Sequence, residues 1–204
     1  MDLSIIIPVF DSHTDIQTAC ETLDRSLTSL KLDYEILLLD DVGQGRSRAV
    51  FAEISARRRR VHFLCSKKQL SFGAGLRTLM DKAQGDIVTY LDAADLSWLS
   101  SFSVLVQKMH QADIVTVAGL GRPRGCRGFC LRGWPRFDEL AARIFLGFSI
   151  KDLRPKLLLL RKSAIPVLDL RSTGNNILAE IFVKAKKKKL VAQEVFLEIR
   201  LAPG

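Results

Sequence analysis

Four short apolar runs, separated by segments with helical spacing, constrain the fold of this chain most. They are rich in β-branched residues and too short for helices, so we predict buried strands at Leu3–Phe10, Tyr34–Leu39, Val61–Cys65 and Ile87–Leu91. Apolar residues recur with helical spacing over 14–30, and further helices are predicted over 47–58 and from a Gly-containing turn at 71–75 to about 83. Alternating strands and helices predict an α/β fold, a doubly wound sheet whose four strands lie parallel.

The chain has 204 residues, of which 48% are apolar, so it is long enough for one sizeable core. This length and composition predict a single domain spanning 1–204. No apolar run approaches the roughly 20 residues that span a bilayer, and the N-terminus lacks the pattern of a signal peptide. A cytoplasmic protein is therefore expected. The four cysteines are too few and too scattered for a disulfide scaffold, with Cys20 predicted in a helix and Cys65 in a buried strand.

Basic residues exceed acidic ones, 31 Lys and Arg against 22 Asp and Glu, and the formal net charge of +9 favours anionic partners. Two basic runs, Arg57–Arg60 and the lysines at 184 and 186–189, follow predicted helices. One interpretation is a solvated helix end, where cations complement the helix dipole. The other is a surface for acidic lipid or nucleic acid. Bases usually stack on paired aromatic residues, which this sequence lacks, so nucleic acid is the less favoured partner.

Acidic pairs follow two of the predicted strands. Asp40 and Asp41 come after the second strand, and Asp92 and Asp95 come after the fourth. Open α/β sheets bind their ligands at the carboxyl ends of the strands. Two nearby carboxylates can share Mg²⁺ or Mn²⁺ and leave coordination positions for phosphate oxygens. In the alternative interpretation, one carboxylate of a pair caps the following helix and the other is solvated.

Two common nucleotide-binding motifs are missing from the sequence. The first predicted strand is followed by Val9-Phe10-Asp11-Ser12-His13, which has no glycine and so excludes the dinucleotide fingerprint G-x-G-x-x-G. No G-x-x-x-x-G-K-[ST] motif of the P-loop NTPases is present either. The pattern instead favours a nucleotide held by carboxylates and a metal ion.

Several stretches together carry a family resemblance. In the first half they are 3–10, 34–41, 69–78 and 83–95. In the second half they are Gly133-Trp134 with Arg136, then 143–147, 151–153, 161–165, 179–181 and 194–197. The chain resembles family 2 glycosyltransferases of the GT-A fold, and its second half is similar to the dolichol-phosphate mannosyltransferase branch. The resemblance implies a nucleotide-diphosphate sugar donor, a D-x-D metal motif holding Mg²⁺ or Mn²⁺, and a polyprenyl-phosphate acceptor at the membrane surface.

The resemblance also divides the chain into two halves. Residues 1–98 would bind the nucleotide sugar, and residues 99–204 would form the acceptor side, including a basic, Gly-rich loop over 118–136. It further implies roles for individual residues. On the donor side these are Pro8, Asp11 and Asp41 around the base, Gly73 and Arg77 along the ribose and phosphates, and Asp92 and Asp95 on the metal ion. On the acceptor side they are Asp152 facing the sugar and the acceptor phosphate, with Arg136 toward phosphate. The arginine that the branch uses toward phosphate aligns with Leu158, and Arg154 and Arg161 lie near it in sequence and would take its place.

The metal motif departs from the family pattern. It reads Asp92-Ala93-Ala94-Asp95, so either one residue is inserted or Ala94 stands where the second metal-binding aspartate is expected. An alternative function follows from this departure. The chain would then be a non-catalytic domain that binds a nucleotide or a lipid phosphate through a degenerate GT-A site.

Overall fold

The computed structural model describes residues 1–9, 16–40, 51, 53–66, 70–92, 96–118, 155 and 157–196. The strands are β1 (Leu3–Val9), β2 (Tyr34–Asp40), β3 (Val61–Cys65), β4 (Ile87–Leu91), β5 (Ile114–Ala118), β6 (Leu157–Arg161) and β7 (Ala192–Phe196). The labelled helices are α1 (Ile16–Ser29), α2 (Phe72–Lys82), α3 (Phe102–Lys108), α4 (Ala164–Leu168) and α5 (Ile177–Lys187), and a 3₁₀ turn over Ser97–Ser101 precedes α3. Residues 51 and 53–57 are also helical. In these ranges no helix is both long and apolar enough to cross a bilayer.

One seven-stranded sheet contains all of these strands, in the order β3-β2-β1-β4-β6-β5-β7. Strand β1 lies parallel to β2 and to β4, and β2 lies parallel to β3. The predicted parallel arrangement of the four apolar runs is therefore confirmed. Strand β6 runs antiparallel to both of its neighbours, β4 and β5, while β5 and β7 are parallel.

Helices cover both faces of the sheet, as the alternation of side chains along β1 requires. Leu3, Ile5 and Ile7 are buried on one face, in a cluster with apolar residues of α1 and α3. Ile6 points to the other face and belongs to a second cluster with residues of α2, α4 and α5. Because helices cover both faces, the residues of the sheet that can meet a ligand lie at the ends of the strands.

Strand β3 lies at one side of the sheet and is less buried than its apolar sequence predicts. Of its residues only Val61 is buried, and Cys65 is exposed, so the expectation of a buried strand around Cys65 is wrong. An outer strand has a neighbour on one side only, and the sequence pattern does not reveal that position. Cys20 is buried within α1, as predicted for a helix.

The arginine run 57–60 is partly committed to contacts inside the fold. The Arg58 guanidinium lies 2.9 Å from the Asp24 carboxylate and 3.4 Å from that of Glu21. The Arg60 guanidinium stacks over the Tyr34 ring at 4.6 Å from its centroid. Both side chains therefore attach the start of β3 to α1 and β2, whereas Arg59 is exposed.

Candidate active site

Pro8 and Asp92 lie at the carboxyl edge of the sheet. Asp92 directly follows β4, and the register of β1 with β4 pairs Ile6 with Tyr90. Continuing that register by two residues puts Pro8 level with Asp92, on strands about 4.8 Å apart. On the other side of β1, Val9 pairs with Asp40, the last residue of β2. The structure thus brings Pro8, Asp92 and the end of β2 together at one edge.

The ring of Tyr90, two residues before Asp92, packs against that of Phe72. Tyr90 is only 7% exposed, and its ring meets that of Phe72 edge to face, with 5.8 Å between centroids. Burial raises the pKa of the Tyr90 hydroxyl well above its usual range, and the negative charge of Asp92 raises it further. Tyr90 therefore stays neutral at physiological pH and close to the carboxylate.

Gly73 lies at the start of α2, where its backbone meets the segment 172–174. Its N–H donates a hydrogen bond to the Thr173 carbonyl at 2.6 Å, and the N–H of Ala74 donates to the same oxygen at 3.2 Å. A Cβ atom at Gly73 would lie 2.6 Å from the Ser172 carbonyl oxygen, so this contact requires glycine. The N–H of Gly73, a residue expected to lie along the donor phosphates, thus donates its hydrogen bond within the protein.

Glu180 of α5 fixes the segment that caps α2. Its carboxylate accepts hydrogen bonds from the backbone N–H groups of Arg171 (3.0 Å) and Ser172 (2.8 Å) and lies 2.7 Å from the Lys184 ammonium. Burial alone would raise the pKa of Glu180, but the bonds from Lys184, Ser172 and Arg171 outweigh it and lower the pKa to about 2. Sequence reasoning gave Glu180 and Thr173 no role. The available signal was an acidic residue in the first turn of a helix that follows a Gly-Asn-Asn turn.

Arg77 points into a cleft between α2 and α4. Its Nη1 donates to the Leu170 carbonyl at 3.1 Å, and Thr78 and Asp81 of the same helix also line the cleft. This described hydrogen bond of Arg77 lies within the cleft, and its expected role along the ribose and phosphates stays a prediction.

Arg161 lies at the opposite edge of the sheet from Asp92. It pairs with Ile87 at the start of β4, because β6 runs antiparallel to that strand. Five strand residues place that end about 17 Å from Asp92. The guanidinium donates to the Met109 carbonyl and, at 3.1 Å, to that of Ala112. In this position Arg161 ties the strand to the connection between α3 and β5 and does not contribute to the edge with Asp92.

A family model described as glycosyl transferase family 2 matches residues 4–168. The chain belongs to this family. It is 24% identical over 200 residues to a dolichol-phosphate mannosyltransferase of Pyrococcus furiosus, a match that covers 94% of this chain and 55% of the relative. The chain thus spans about half the length of that curated relative.

Solved glycosyltransferase structures share the fold. TarS 1-349 of S. aureus in complex with UDP-GlcNAc has a TM-score of 0.60 at 15% identity, covering 98% of this chain and 57% of that one. Glucosyl-3-phosphoglycerate synthase of Mycobacterium tuberculosis in complex with Mn²⁺, uridine-diphosphate and phosphoglyceric acid has a TM-score of 0.66 at 14% identity, covering 99% and 72%. At these identities the likeness establishes the fold alone, and that fold is GT-A.

Six of the predicted site residues of this family 2 chain lie outside the described residues. They are Asp11, Asp41, Asp95, Arg136, Asp152 and Arg154. Their predicted roles remain predictions.

At the carboxyl edge, the described residues show only which donor atoms they offer to the expected metal ion. Asp92 is half-buried and offers the hard carboxylate oxygen that Mg²⁺ and Mn²⁺ prefer. Within the described ranges, no group of three His, Cys, Asp or Glu side chains is close enough to hold a metal ion. Asp92 therefore fits the role of a metal ligand, and the second predicted ligand is Asp95.

Proposed function

We propose that the chain transfers a sugar from a nucleotide-diphosphate donor to a polyprenyl phosphate or a similar anionic acceptor at the membrane surface. One observation carries the proposal: in a member of glycosyl transferase family 2, a half-buried aspartate, Asp92, stands level with Pro8 at the carboxyl edge of the sheet. This is the edge where open α/β sheets bind ligands.

On the donor side, Pro8, Asp11 and Asp41 would form the base pocket, and the carboxylate of Asp41 would accept hydrogen bonds from the base N–H groups. Asp92 and Asp95 would hold Mg²⁺ or Mn²⁺. Such an ion, when bound, neutralises the charge that develops on the departing nucleotide. The solved neighbour in complex with Mn²⁺ and uridine-diphosphate supports this choice of cofactor class.

On the acceptor side, Asp152 would face the sugar, and Arg136 and Arg154 would bind phosphate through their planar guanidinium groups. A polyprenyl phosphate is already ionised, so its attack needs no strong general base. The likeness to a dolichol-phosphate mannosyltransferase supports a lipid-linked acceptor. The net charge of +9 suits binding near anionic lipid.

The proposal is tested by a panel of nucleotide sugars in calorimetric titrations with and without MnCl₂. We expect one nucleotide-diphosphate sugar to bind more tightly with manganese, and labelled sugar to move from it to a polyprenyl phosphate in detergent micelles. Asp92→Asn should lose the manganese effect, while Asp86→Asn, an exposed residue at the other end of β4, should keep it. Absence of binding by every donor, with and without manganese, would overturn the proposal.

The second candidate is a domain that binds the same nucleotide without transferring sugar. The spacing of Asp92 and Asp95, one residue longer than D-x-D, favours it. Tight, specific binding of a nucleotide sugar with no transfer to polyprenyl phosphate and no hydrolysis would select this candidate.

A further inference from the structure

A cleft of about 530 Å³ lies between α2 and α4, on one face of the sheet. This volume is within the range of small-molecule sites in proteins. The α2 wall includes Arg77 and Asp81, and the opposite wall includes Lys162, Ile165 and Asp169. Nothing in the proposed transfer reaction uses these residues apart from the expected role of Arg77.

Two cationic side chains, Arg77 and Lys162, line the cleft, and each has donor groups without an acceptor among the described residues. Arg77 donates from Nη1 to the Leu170 carbonyl, but its Nε is buried and has no hydrogen-bond partner among the described residues. A buried N–H without a partner is costly, so this guanidinium gains from a further acceptor that approaches it from the cleft. Lys162 is half-buried and forms no ion pair with any carboxylate that the structure describes.

The two acidic side chains of the cleft differ in how far they offset these charges. Asp169 is already paired, because Arg171 donates to its Oδ2 from Nε at 3.0 Å and from Nη2 at 2.8 Å. These contacts lower the pKa of Asp169 and hold it as an anion with its own counter-charge. Asp81 is exposed and lines the cleft one helical turn from Arg77. Because Arg171 neutralises Asp169, the two cations Arg77 and Lys162 outnumber one carboxylate among the described residues of the cleft, which keeps a net positive charge.

An apolar surface completes the cleft, formed by Met80, Ile165, Pro166 and Leu170. A ligand that satisfies both parts of the cleft carries an anionic group and a compact apolar or weakly polar body. A phosphate monoester carries close to two negative charges at neutral pH and three acceptor oxygens, which matches one arginine and one lysine. A carboxylate carries only one negative charge.

The cleft is distinct from the edge that carries Asp92. The N–H of Lys162 donates to the Asp86 carbonyl at 2.8 Å, just before β4 begins, whereas Asp92 follows the end of that strand. The length of β4 puts the Lys162 end of the cleft about 17 Å from Asp92, whereas the Ala74 end lies at the start of α2.

We propose that the cleft between α2 and α4 is a second ligand site, which binds a small soluble phosphate monoester through Arg77 and Lys162. The ligand packs its body against Ile165 and Pro166. Apart from Arg77, the site uses no residue assigned to sugar transfer, so it can be tested through Lys162 whether or not the proposed function holds.

The test is a titration of the ¹⁵N-labelled protein with phenyl phosphate, with inorganic phosphate in a parallel series. We expect saturable shifts of the Arg77 Nε–Hε signal and of the α4 amides, with a Kd on the order of 1 mM. Phenyl phosphate should bind more tightly than inorganic phosphate, because its ring contacts the apolar wall. Arg77→Gln and Lys162→Gln should each weaken binding about tenfold, the effect of one charge-assisted hydrogen bond.

Matched controls remove the same charge elsewhere. Arg59→Gln and Lys108→Gln change exposed residues away from the cleft and should leave the Kd unchanged. If Arg77→Gln destabilises the fold, Lys162→Gln still decides, because Lys162 makes no described side-chain bond. Equal affinity in Lys162→Gln and the parent protein, or no saturable shift, would overturn the proposal. A response to phosphatidic acid vesicles without one to phenyl phosphate would also contradict a soluble ligand.

Discussion

The carbonyl oxygen of Thr173 accepts a hydrogen bond from the N–H of Gly73 at 2.6 Å, although the two residues are far apart in sequence. Gly73 lies in the first turn of α2 in the first half of the chain, and Thr173 belongs to the segment that leads into α5. The first N–H groups of a helix have no partner within the helix, so a carbonyl from elsewhere can satisfy them. This contact joins the two halves next to the edge that carries Asp92.

Gly73→Ala tests how closely the two segments approach. The added Cβ atom would lie 2.6 Å from the Ser172 carbonyl oxygen and 2.7 Å from the Thr173 carbonyl carbon, so backbone must move. We expect the free energy of unfolding to fall by about 1 to 3 kcal/mol in urea titrations, the usual cost of overpacking. Gly174→Ala is the control, since its Cβ atom would meet nothing within 4 Å, and it should change stability by less than about 0.5 kcal/mol. Equal effects of the two substitutions would contradict the close contact.

The strands of the first half could be predicted because their signal is local. A buried parallel strand is mostly apolar, and Leu3–Val9 and Tyr34–Asp40 show that pattern apart from Ser4, Glu35 and Asp40. The position of Asp92 followed from the same logic, since the residue after a parallel strand lies at the carboxyl edge.

Contacts between distant segments could not be predicted in the same way. The run Leu157–Arg161 is apolar in either direction, so its sequence does not show that β6 is antiparallel and that Arg161 lies at the amino end of β4. The Thr173 carbonyl that bonds Gly73 is a backbone group, which every residue type carries. The role of Glu180 depends on the path of the segment 171–173 and has no periodic signature.

Glu180→Gln should weaken the fold and change its response to acid. The substitution removes the charge that Lys184 and the N–H groups of Arg171 and Ser172 contact. Hydrogen bonds to charged groups contribute about 1.5 to 3 kcal/mol each, and non-additivity keeps the expected total loss at pH 7 near the same range.

The acid response has a definite sign. The pKa of Glu180 falls from 4.5 to about 2 in the folded chain, so its contribution is complete above pH 4.5 and is lost as the pH falls toward 2. Urea titrations between pH 7 and pH 2 should therefore show a smaller loss of stability in Glu180→Gln than in the parent chain. Parallel curves for the two proteins would argue against a depressed pKa at Glu180.

Ser4→Ala should destabilise the connection between α2 and β4. The buried Ser4 hydroxyl donates to the Glu35 carboxylate at 2.6 Å and accepts from the N–H of Gly85 at 2.7 Å. Without it, buried polar groups lose a partner, at a cost of about 1 to 3 kcal/mol in the free energy of unfolding. Ser103→Ala, an exposed change on α3, is the control and should be within about 0.5 kcal/mol of the parent chain. Thermal and urea unfolding measure both, and a neutral Ser4→Ala would show that the network adds nothing.

Arg161→Met separates a structural role from a substrate role. Arg161 holds the carbonyls of Met109 and Ala112 and lies 3.5 Å from the Asp113 carboxylate. We expect a loss of about 1 to 3 kcal/mol in the free energy of unfolding and no change in the rate of transfer to polyprenyl phosphate. Arg57→Met removes an exposed pair with Glu53 and should cost less than about 1 kcal/mol. Slower transfer to polyprenyl phosphate by a stable Arg161→Met protein would restore the acceptor-side role first expected for this residue.

Asp92→Asn decides whether the carboxyl edge supports metal-assisted chemistry. The amide keeps the size of the side chain but removes the charge that a divalent cation needs, so transfer should fall by about a hundredfold or more. The change keeps the size of a half-buried side chain after β4, so the free energy of unfolding should stay within about 1 kcal/mol of the parent value. Asp86→Asn makes the same chemical change at the exposed amino end of β4 and should preserve both transfer and stability. Initial rates at fixed manganese, compared with urea titrations of the same samples, separate loss of chemistry from loss of fold. Full transfer by Asp92→Asn would remove this carboxylate from the reaction, and equal losses in both variants would trace the effect to β4 itself.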